Sequence, residues 1–387
     1  MRRARRTLVP LVLATTATQA SIVVLAPIIV AVGEDLDRSV SAVGQARTLL
    51  AGTAALASLR IGRSLDRMGV RPAIVRGALL ALLGLAVTAA SPSLAVFYAG
   101  HAVVGLGVAF LLSAGFAGVG AWFDERDAAW AMGFVVGSQS VAWIVGNPIV
   151  GLLTDAISWR AAYAVPGVFA LAALVAALAA PREERAAGGV ADGGITHVAA
   201  DPSARRWALA ELVAYSAWTA ELTYIGAFYV RTYDVAESVV GFLLAVGSIA
   251  FLISTLGTDR LVRRVGSKRP LIVAGGLGMG IFAAVIMNVT PSVAFTLALF
   301  FLMALCAGVR STGSSALGLS QLPARPGSMM AARTASAQLG YVIGASAGGA
   351  ILAVAGFGAL GFLLLGGMVV AAVMIARVSE PDAVAVS

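Results

Sequence analysis

From end to end the chain is a series of long apolar runs, separated at regular intervals by short polar or charged stretches. About 20 apolar residues wound as an α-helix reach across the hydrocarbon of a bilayer. Hydrophobic residues make up 59% of the 387 and charged residues 12%, with a mean hydropathy of +0.92, which leaves too little polar surface to coat a soluble globule of this size. A membrane must be the solvent. The 44 glycines fall largely inside the runs. Membrane helices tolerate that, because lipid offers the backbone no competing partners and small residues let helices approach closely. One cysteine and two histidines exclude a disulfide framework and leave almost nothing with which to build a metal site, so no cofactor is expected.

The runs predict twelve spans, near 8–32, 40–60, 73–91, 94–118, 130–153, 161–180, 207–230, 238–258, 270–290, 292–316, 328–352 and 356–377. Placing the N-terminus inside puts 22 of the 27 basic residues on that side: four in Arg2 to Arg6, five in Arg60 to Arg76, Arg126, four around the central loop, five in Arg260 to Arg269, then Arg325, Arg333 and Arg377. Only Arg38, Arg160 and Arg231 fall outside, while Arg47 and Arg310 lie within spans. That bias predicts a multi-pass protein of the cell (plasma or inner) membrane with both termini cytoplasmic. The net charge of +8 is then topology, with no nucleic-acid partner implied. A cleaved signal peptide fits Arg2, Arg3, Arg5 and Arg6 loosely, but the apolar stretch after them runs too long for a signal core.

Pro181 to Arg206, the longest non-apolar interval, is charged and rich in glycine and alanine without periodicity, and reads as a flexible cytoplasmic linker. The expected division is an N-terminal six-helix bundle at 1–180, the linker at 181–206 and a C-terminal six-helix bundle at 207–387. The halves look duplicated. A shift of about 197 residues lays Arg63, Gly69 and Arg71 on Arg260, Gly266 and Lys268, and one of 198 lays Ser138, Gly146 and Gly151 on Ser336, Gly344 and Gly349. Parallel six-helix repeats imply a central cavity and alternating access, although a duplicated channel or scaffold would share the repeat.

Between spans two and three, Gly62-Arg63-Ser64-Leu65-Asp66-Arg67-Met68-Gly69-Val70-Arg71 closely resembles the G-x-x-x-D-R-x-G-x-R loop signature of the major facilitator superfamily. Glycines permit a tight turn there, and Asp66 is suited to accept charge-assisted hydrogen bonds or to cap a helix. Gly62, Asp66, Arg67, Gly69 and Arg71 are therefore expected to form a lock that holds in one access state; the positive-inside rule alone covers the arginines but neither Asp66 nor the glycines. In span five, Gly146-Asn147-Pro148-Ile149-Val150-Gly151 resembles the glycine-proline motif of the family's antiporters, with Asn147 between residues that are adjacent in that motif. Gly146, Pro148 and Gly151 are read as a second gating element, with plain packing at a bend as the alternative. In span four, His101-Ala102-Val103-Val104-Gly105-Leu106-Gly107 is similar to the family's R-x-x-x-G-x-G, with a titratable histidine in place of arginine. The resemblance, most like twelve-helix drug/proton antiporters and sugar-efflux-type bacterial permeases, implies an all-α integral membrane protein with twelve transmembrane helices in two pseudo-symmetric six-helix bundles.

An ionisable side chain at membrane depth is costly unless paired or wetted. Glu211 and Glu221 in span seven and Arg310 in span ten stand out beside His101, and the resemblance puts spans one, four, seven and ten on the central cavity. At ~1.5 Å rise per residue, Glu221 and His101 lie about 4 and 7 Å to the outer side of their span midpoints, and Glu211 and Arg310 about 10 and 9 Å to the cytoplasmic side. A Glu211–Arg310 pair is then reasonable. Arg310 is expected to bind an anionic substrate or to counter a carboxylate in one state, with Glu221 or His101 taking up a coupling proton. Span one carries a polar stripe, Thr15, Thr16, Thr18, Gln19 and Ser21, ahead of Pro27. Its stretch from Gln19 to Pro27 looks like a first-helix motif of drug exporters, with Gln19 near the place of an acidic residue. Tyr215, Trp218 and Tyr224 on span seven would suit an amphipathic organic substrate, or equally packing.

The function expected is secondary transport rather than enzymatic: proton-coupled efflux of small amphipathic organic molecules, with a small-molecule substrate, protons and the bilayer as partners and a monomer as the working unit. No G-x-x-x-x-G-K-[ST] loop is present, so ATP is not the energy source within this chain. One alternative is uptake or exchange of a small organic anion, supported by Arg310 and the missing span-one acid. Another is a non-transporting receptor or scaffold, against which Glu221 and Arg310 argue. An enzyme would need His101, His197 or Cys306 to find partners at one depth, and the sequence offers none.

Overall fold

The computed structural model describes residues 2–123, 131, 134–180, 194–322 and 326–380, and every regular element among them is helical. Span one is Arg2–Val23 continued by Leu25–Asp35, followed by span two, Val40–Met68, span three, Val70–Ala89, and span four, Leu94–Trp122. Span five is Phe134–Ala156 and span six Trp159–Ala179. Spans seven to ten are Pro202–Tyr233, Glu237–Val265, Arg269–Asn288 and Val293–Gln321. Spans eleven and twelve share the run Pro326–Ala376, which breaks at Gly356, where φ is 74° and ψ −172°. The twelve spans and the two six-helix bundles expected from the sequence are present.

Length and apolarity alone reveal fewer of them. Eight helical stretches among the described residues qualify unaided, and the one at 332–376 is 45 residues long, enough to cross twice. Span one qualifies only when its two pieces, bent by 43°, are joined. The break has a local cause, because Pro27 has no N–H to give the Val23 carbonyl. Polar residues dilute the other two: Gln45, Arg47 and Thr48 in span two, and Glu211, Ser216, Thr219 and Glu221 in span seven.

The halves repeat in backbone detail. Spans two and eight are each 29 residues long, three and nine each 20, four and ten each 29. Asp37 and Asp234, each just ahead of the second helix of its half, have φ of 51° and 52°, and Gly69 and Gly266, each ahead of the third, have 83° and 75°. Aspartate visits this left-handed region more readily than most residues and glycine does so freely. After that turn Arg71 Nη2 donates to the Leu178 carbonyl at 2.8 Å, at the end of span six. Arg269 Nη1 donates to the carbonyls of Ala376 and Val378 at 3.5 and 3.1 Å, at the end of span twelve. Arg269 thus repeats Arg71's bond, one residue beyond the Lys268 that the sequence shift selects.

Span two stays helical through Met68, so Gly69 alone turns the chain into span three, where the sequence motif reads as a longer loop. The lock expected of Gly62, Asp66 and Arg67 concerns side chains outside the described residues. Of the expected linker, Gly194–Ala200 is a short helix and span seven already begins at Pro202, where Asp201 Oδ1 accepts from the Ala204 N–H at 2.7 Å. Residues 181–193 lie outside the described residues.

Contacts group the chain into two compact units, residues 1–190 with 223–245 and residues 191–222 with 246–387. The division therefore runs through spans seven and eight. Within the first unit, Gly226 lies against the Ala26 backbone, Gly44 against the Tyr224 ring, Gly241 against the Asn147 backbone and Gly151 against the Glu237 backbone. Asp155 Oδ2 also accepts from the Ser238 N–H at 3.1 Å, in the first turn of span eight.

In the second unit, the segment after span twelve folds back onto the start of span nine. Glu380 accepts from Ser267 Oγ at 2.6 Å and from the backbone N–H groups of Lys268 and Arg269 at 2.7 and 3.3 Å. Partial burial pushes this carboxyl up, but those bonds and the Lys268 charge outweigh it and hold it below its ordinary value of 4.5. A carboxyl lowered in this way stabilises the fold above its unfolded value and loses that contribution as the pH falls through its own lower one. Glu380→Gln is expected to reduce the thermal midpoint at neutral pH and to remove part of the loss of stability seen on acidification below pH 4.5, as read from melts of the detergent-solubilised protein.

Candidate functional site

The densest charge cluster within the spans is in the second unit. Arg310 on span ten forms an ion pair with Glu211 Oε1 on span seven, with side-chain exposures of 2% and 0%. Ser314, one turn along span ten, donates to the same oxygen at 2.9 Å. Trp207 Nε1 in turn donates to the Ser314 carbonyl and Oγ at 2.9 and 3.0 Å, so the indole fixes the hydroxyl that fixes the carboxylate. Arg333 on span eleven completes the cluster. Its Nε lies 3.7 Å from Glu211 Oε2, and its Nη2 donates to Ser311 Oγ at 3.1 Å. Both guanidiniums flank the Tyr215 ring, 5.8 and 5.6 Å from its centre. Tyr215 stacks on Trp218 at 6.5 Å and meets Tyr341 edge-on at 6.0 Å.

The charges do not balance. Among the described residues two guanidiniums face one carboxylate, and Arg310 Nη1 is buried without a hydrogen-bond partner. Such an arrangement attracts a further anion, and the aromatic faces beside it suit an apolar body attached to that anion. Arg333 is the residue the sequence reading passes over, because it counts toward the cytoplasmic bias near the start of span eleven. The available signal was helical spacing, since Arg333 and Ser336 share the face on which Ser336 Oγ donates to the Ala208 carbonyl of span seven at 2.9 Å.

Glu221 is placed differently. It lies ten residues beyond Glu211 on the same helix, is 1% exposed, and neither carboxyl oxygen has a hydrogen-bond partner among the described residues. Tyr215 and Trp218 lie between the two carboxyls on span seven.

The remaining candidates are in the first unit. His101 is 2% exposed, with Nδ1 donating to the Phe97 carbonyl at 2.9 Å and Nε2 accepting from Tyr163 Oη at 3.4 Å. Tyr163 meets its ring edge-on and Phe97 at a tilt, Trp159 packs edge-on against both of those rings, and Arg160, over the Trp159 ring at 4.3 Å, pairs with Asp35 at 2.8 Å. Both ring nitrogens are therefore engaged by neutral groups. Gln19 Nε2 donates to Gln139 Oε1 at 2.7 Å, and Thr15 Oγ1 meets Ser138 Oγ at 2.8 Å, tying span one to span five. Tyr224 is buried against Gly44. Span five widens into a π-turn at Ala142–Gly146 just before Pro148, which lacks the N–H for a regular ladder.

Two repeats of six membrane helices, with ionised side chains buried inside the spans, define a polytopic membrane protein of the transporter type. The sequence profile of the Major Facilitator Superfamily matches residues 11–231 and again 207–386, and the chain belongs to that superfamily. Parts of it are similar to the multidrug resistance protein MdtM of Salmonella typhimurium, 30% identical over 158 residues, or 41% of this chain and 38% of that one. Another stretch is similar to monocarboxylate transporter 12-B of Danio rerio, 33% identical over 107 residues, or 27% of this chain and 22% of that one. The matched segments thus span well under half the length of these relatives. Across 98% of both chains the fold superposes on a crystal structure of a D-xylose–proton symporter, with a TM-score of 0.80 at 13% identity.

The charge excess can be measured through stability. Glu211→Gln leaves the buried Arg310 and the partly exposed Arg333 uncompensated and is expected to cost about 3–5 kcal/mol, whereas Arg333→Gln leaves a neutral Glu211–Arg310 pair and is expected to cost far less. Thermal unfolding of the purified variants orders the two, and equal losses would contradict a cluster with one cation in excess.

Proposed function

We propose that this chain is a secondary active transporter working by alternating access, which exports small amphipathic organic molecules in exchange for protons. Glu221 carries the reading. An unpartnered carboxyl inside a bilayer protein is stable as the neutral acid and ionises only when water or a cation reaches it. A group with that property gains and loses a proton as access changes. Tyr215, Trp218, Tyr224 and Gln19 are the proposed substrate contacts, while His101, with both nitrogens engaged, is assigned to packing in this scheme. Gly69 and Arg71, with Gly62, Asp66 and Arg67, form the proposed gate between spans two and three, and Gly146, Pro148 and Gly151 the proposed gate in span five. Similarity to a protein named for multidrug resistance supports export. The basic-residue bias supports a plasma or inner membrane location with both termini cytoplasmic, and the proposed working unit is a monomer.

A second reading, exchange or uptake of a small organic anion, is favoured by one observation: Arg310 and Arg333 share the single carboxylate of Glu211. A relative named as a monocarboxylate transporter is consistent with it.

Proteoliposomes holding wild type or Glu221→Gln, given a pH gradient and a panel of organic cations and anions, separate these readings. Substrate-dependent proton movement in wild type and its absence in Glu221→Gln is the expected result. Transport that continues without proton movement would sink the coupling role of Glu221. If only anions elicit flux, and Arg333→Gln abolishes it, the second reading replaces the first.

A further inference from the structure

Where the start of span seven meets the end of span twelve, in the second unit, a cavity of about 190 Å³ is lined by Pro202, Arg205, Arg206, Leu209, Met374 and Arg377. Half of that lining is guanidinium and half is apolar. We propose that this cavity binds the phosphate headgroup of an anionic phospholipid, with the acyl chain running up the outer face of span twelve.

Three observations carry the assignment. First, none of the three arginines forms an ion pair with a carboxylate among the described residues. The neighbouring acids are engaged elsewhere, Asp201 with the Ala204 N–H and Glu380 with Ser267, Lys268 and Arg269. Second, two of the three guanidiniums are held by main chain. Arg206 Nη1 donates to the Arg377 carbonyl at 2.6 Å and Arg205 Nη1 to the Ala199 carbonyl at 3.1 Å, which leaves the remaining N–H groups of each fork for an oxyanion. The positive-inside rule asks only for charge on one side of the membrane; it does not draw arginines from helices 170 residues apart around one recess.

Third, the apolar half continues away from the charges. Leu209 is one turn along span seven from Arg205 and 46% exposed. On span twelve, Val373 and Val370 follow Arg377 at helical spacing and are 48% and 50% exposed. From Arg377 to Val370 is about 10 Å along the axis, the upper part of an acyl chain. A ligand that matches both halves has an anionic head and a hydrocarbon tail, and basic pockets between helices at the membrane boundary have that chemistry. In the orientation proposed above this end faces the cytoplasmic leaflet, but the site rests on the second unit alone and does not require transport of any particular substrate.

Native mass spectrometry of the purified full-length protein, titrated with phosphatidylglycerol and with phosphatidylcholine, tests this directly. One phosphatidylglycerol is expected to remain bound where phosphatidylcholine does not, and Arg205→Gln with Arg377→Gln is expected to weaken it about 30-fold. The charge-matched control, Arg260→Gln with Arg264→Gln, should leave binding within about twofold, as expected of exposed charges that do not line the cavity and act on it only through a screened field. Equal binding of the two lipids, retention by the first variant, or an equal loss in the control would each overturn the proposal. Displacement by millimolar glycerol phosphate would overturn the lipid assignment in favour of a soluble phosphate. Photo-crosslinking of a phosphatidylglycerol analogue to the wild type provides a readout that no variant can confound, with label expected on peptides spanning 202–209 and 370–377. Label absent from both would also reject the site.

Discussion

Gly105 of span four rests on the Leu50 carbonyl and Thr53 hydroxyl of span two, a separation at which a single added carbon would collide. In a bilayer each helix must close its own backbone hydrogen bonds, and lipid drives helices together far less than water does, so association depends on this kind of close approach. Gly308 of span ten meets the Phe251 carbonyl and Ser254 hydroxyl of span eight in the same manner, one turn farther along both helices. Thr53 and Ser254 each fold their hydroxyl back onto the carbonyl three residues earlier, at 3.0 and 2.9 Å, which clears the surface for the glycine. Gly84, Gly100 and Gly107 do the same for spans three and four. The helices that carry the buried charges are positioned by this packing.

The duplication also shows what packing does not need. Ser138 bonds the Val12 carbonyl and Ser336 the Ala208 carbonyl, a register that sets Thr15 opposite Glu211. The equal lengths of spans four and ten set Leu111 opposite Arg310 and Gly115 opposite Ser314, and the 198-residue shift sets Val135 opposite Arg333. Gly115 indeed lies on Thr15, as Ser314 lies on Glu211. In the first half this position is a hydroxyl amid an apolar core that includes Leu111 and Val135. The second half fills the same architecture with three ionised groups. Apolar residues at such sites are commonly as stable as an ion pair or more so, so the fold gives no reason for the charges and a functional reason is the better account.

Most of the fold was legible because its signals are long. Twelve apolar runs, a basic bias and a repeat near 197 residues survive errors of several positions, and the break at Gly356 falls on the first residue predicted for span twelve. The Glu211–Arg310 pair was also within reach, since helical rise converts sequence position into depth. Arg333 was not, because depth near a span end depends on where the helix starts, and Pro326 begins it early enough to bring Arg333 level with Glu211. His101 illustrates the opposite failure. Its intramembrane position was plain, and the Phe97 carbonyl that takes Nδ1 lies one turn away, but Tyr163, which engages Nε2, comes from 62 residues along the chain.

Span seven places two carboxyls of different character on one helix, and their separation bears on how a substrate and a proton influence one another. Glu211 pairs with two arginines, whereas Glu221 has no hydrogen-bond partner among the described residues. Ten residues of helix put them about 15 Å apart, where unit charges at an effective dielectric near 20 interact by about 1 kcal/mol, roughly fivefold in affinity. The sign follows from the excess cation in the Glu211 cluster. In the proposed scheme, an anion beside Arg310 and Arg333 removes positive potential and favours the protonated form of Glu221, which gives anion and proton positive coupling. A cation near Tyr215 and Trp218 does the reverse and favours release of the proton. On the proton role proposed for Glu221, proton-driven export of cations and joint movement of an anion with a proton are opposite uses of the same two sites, set apart by the charge of the substrate.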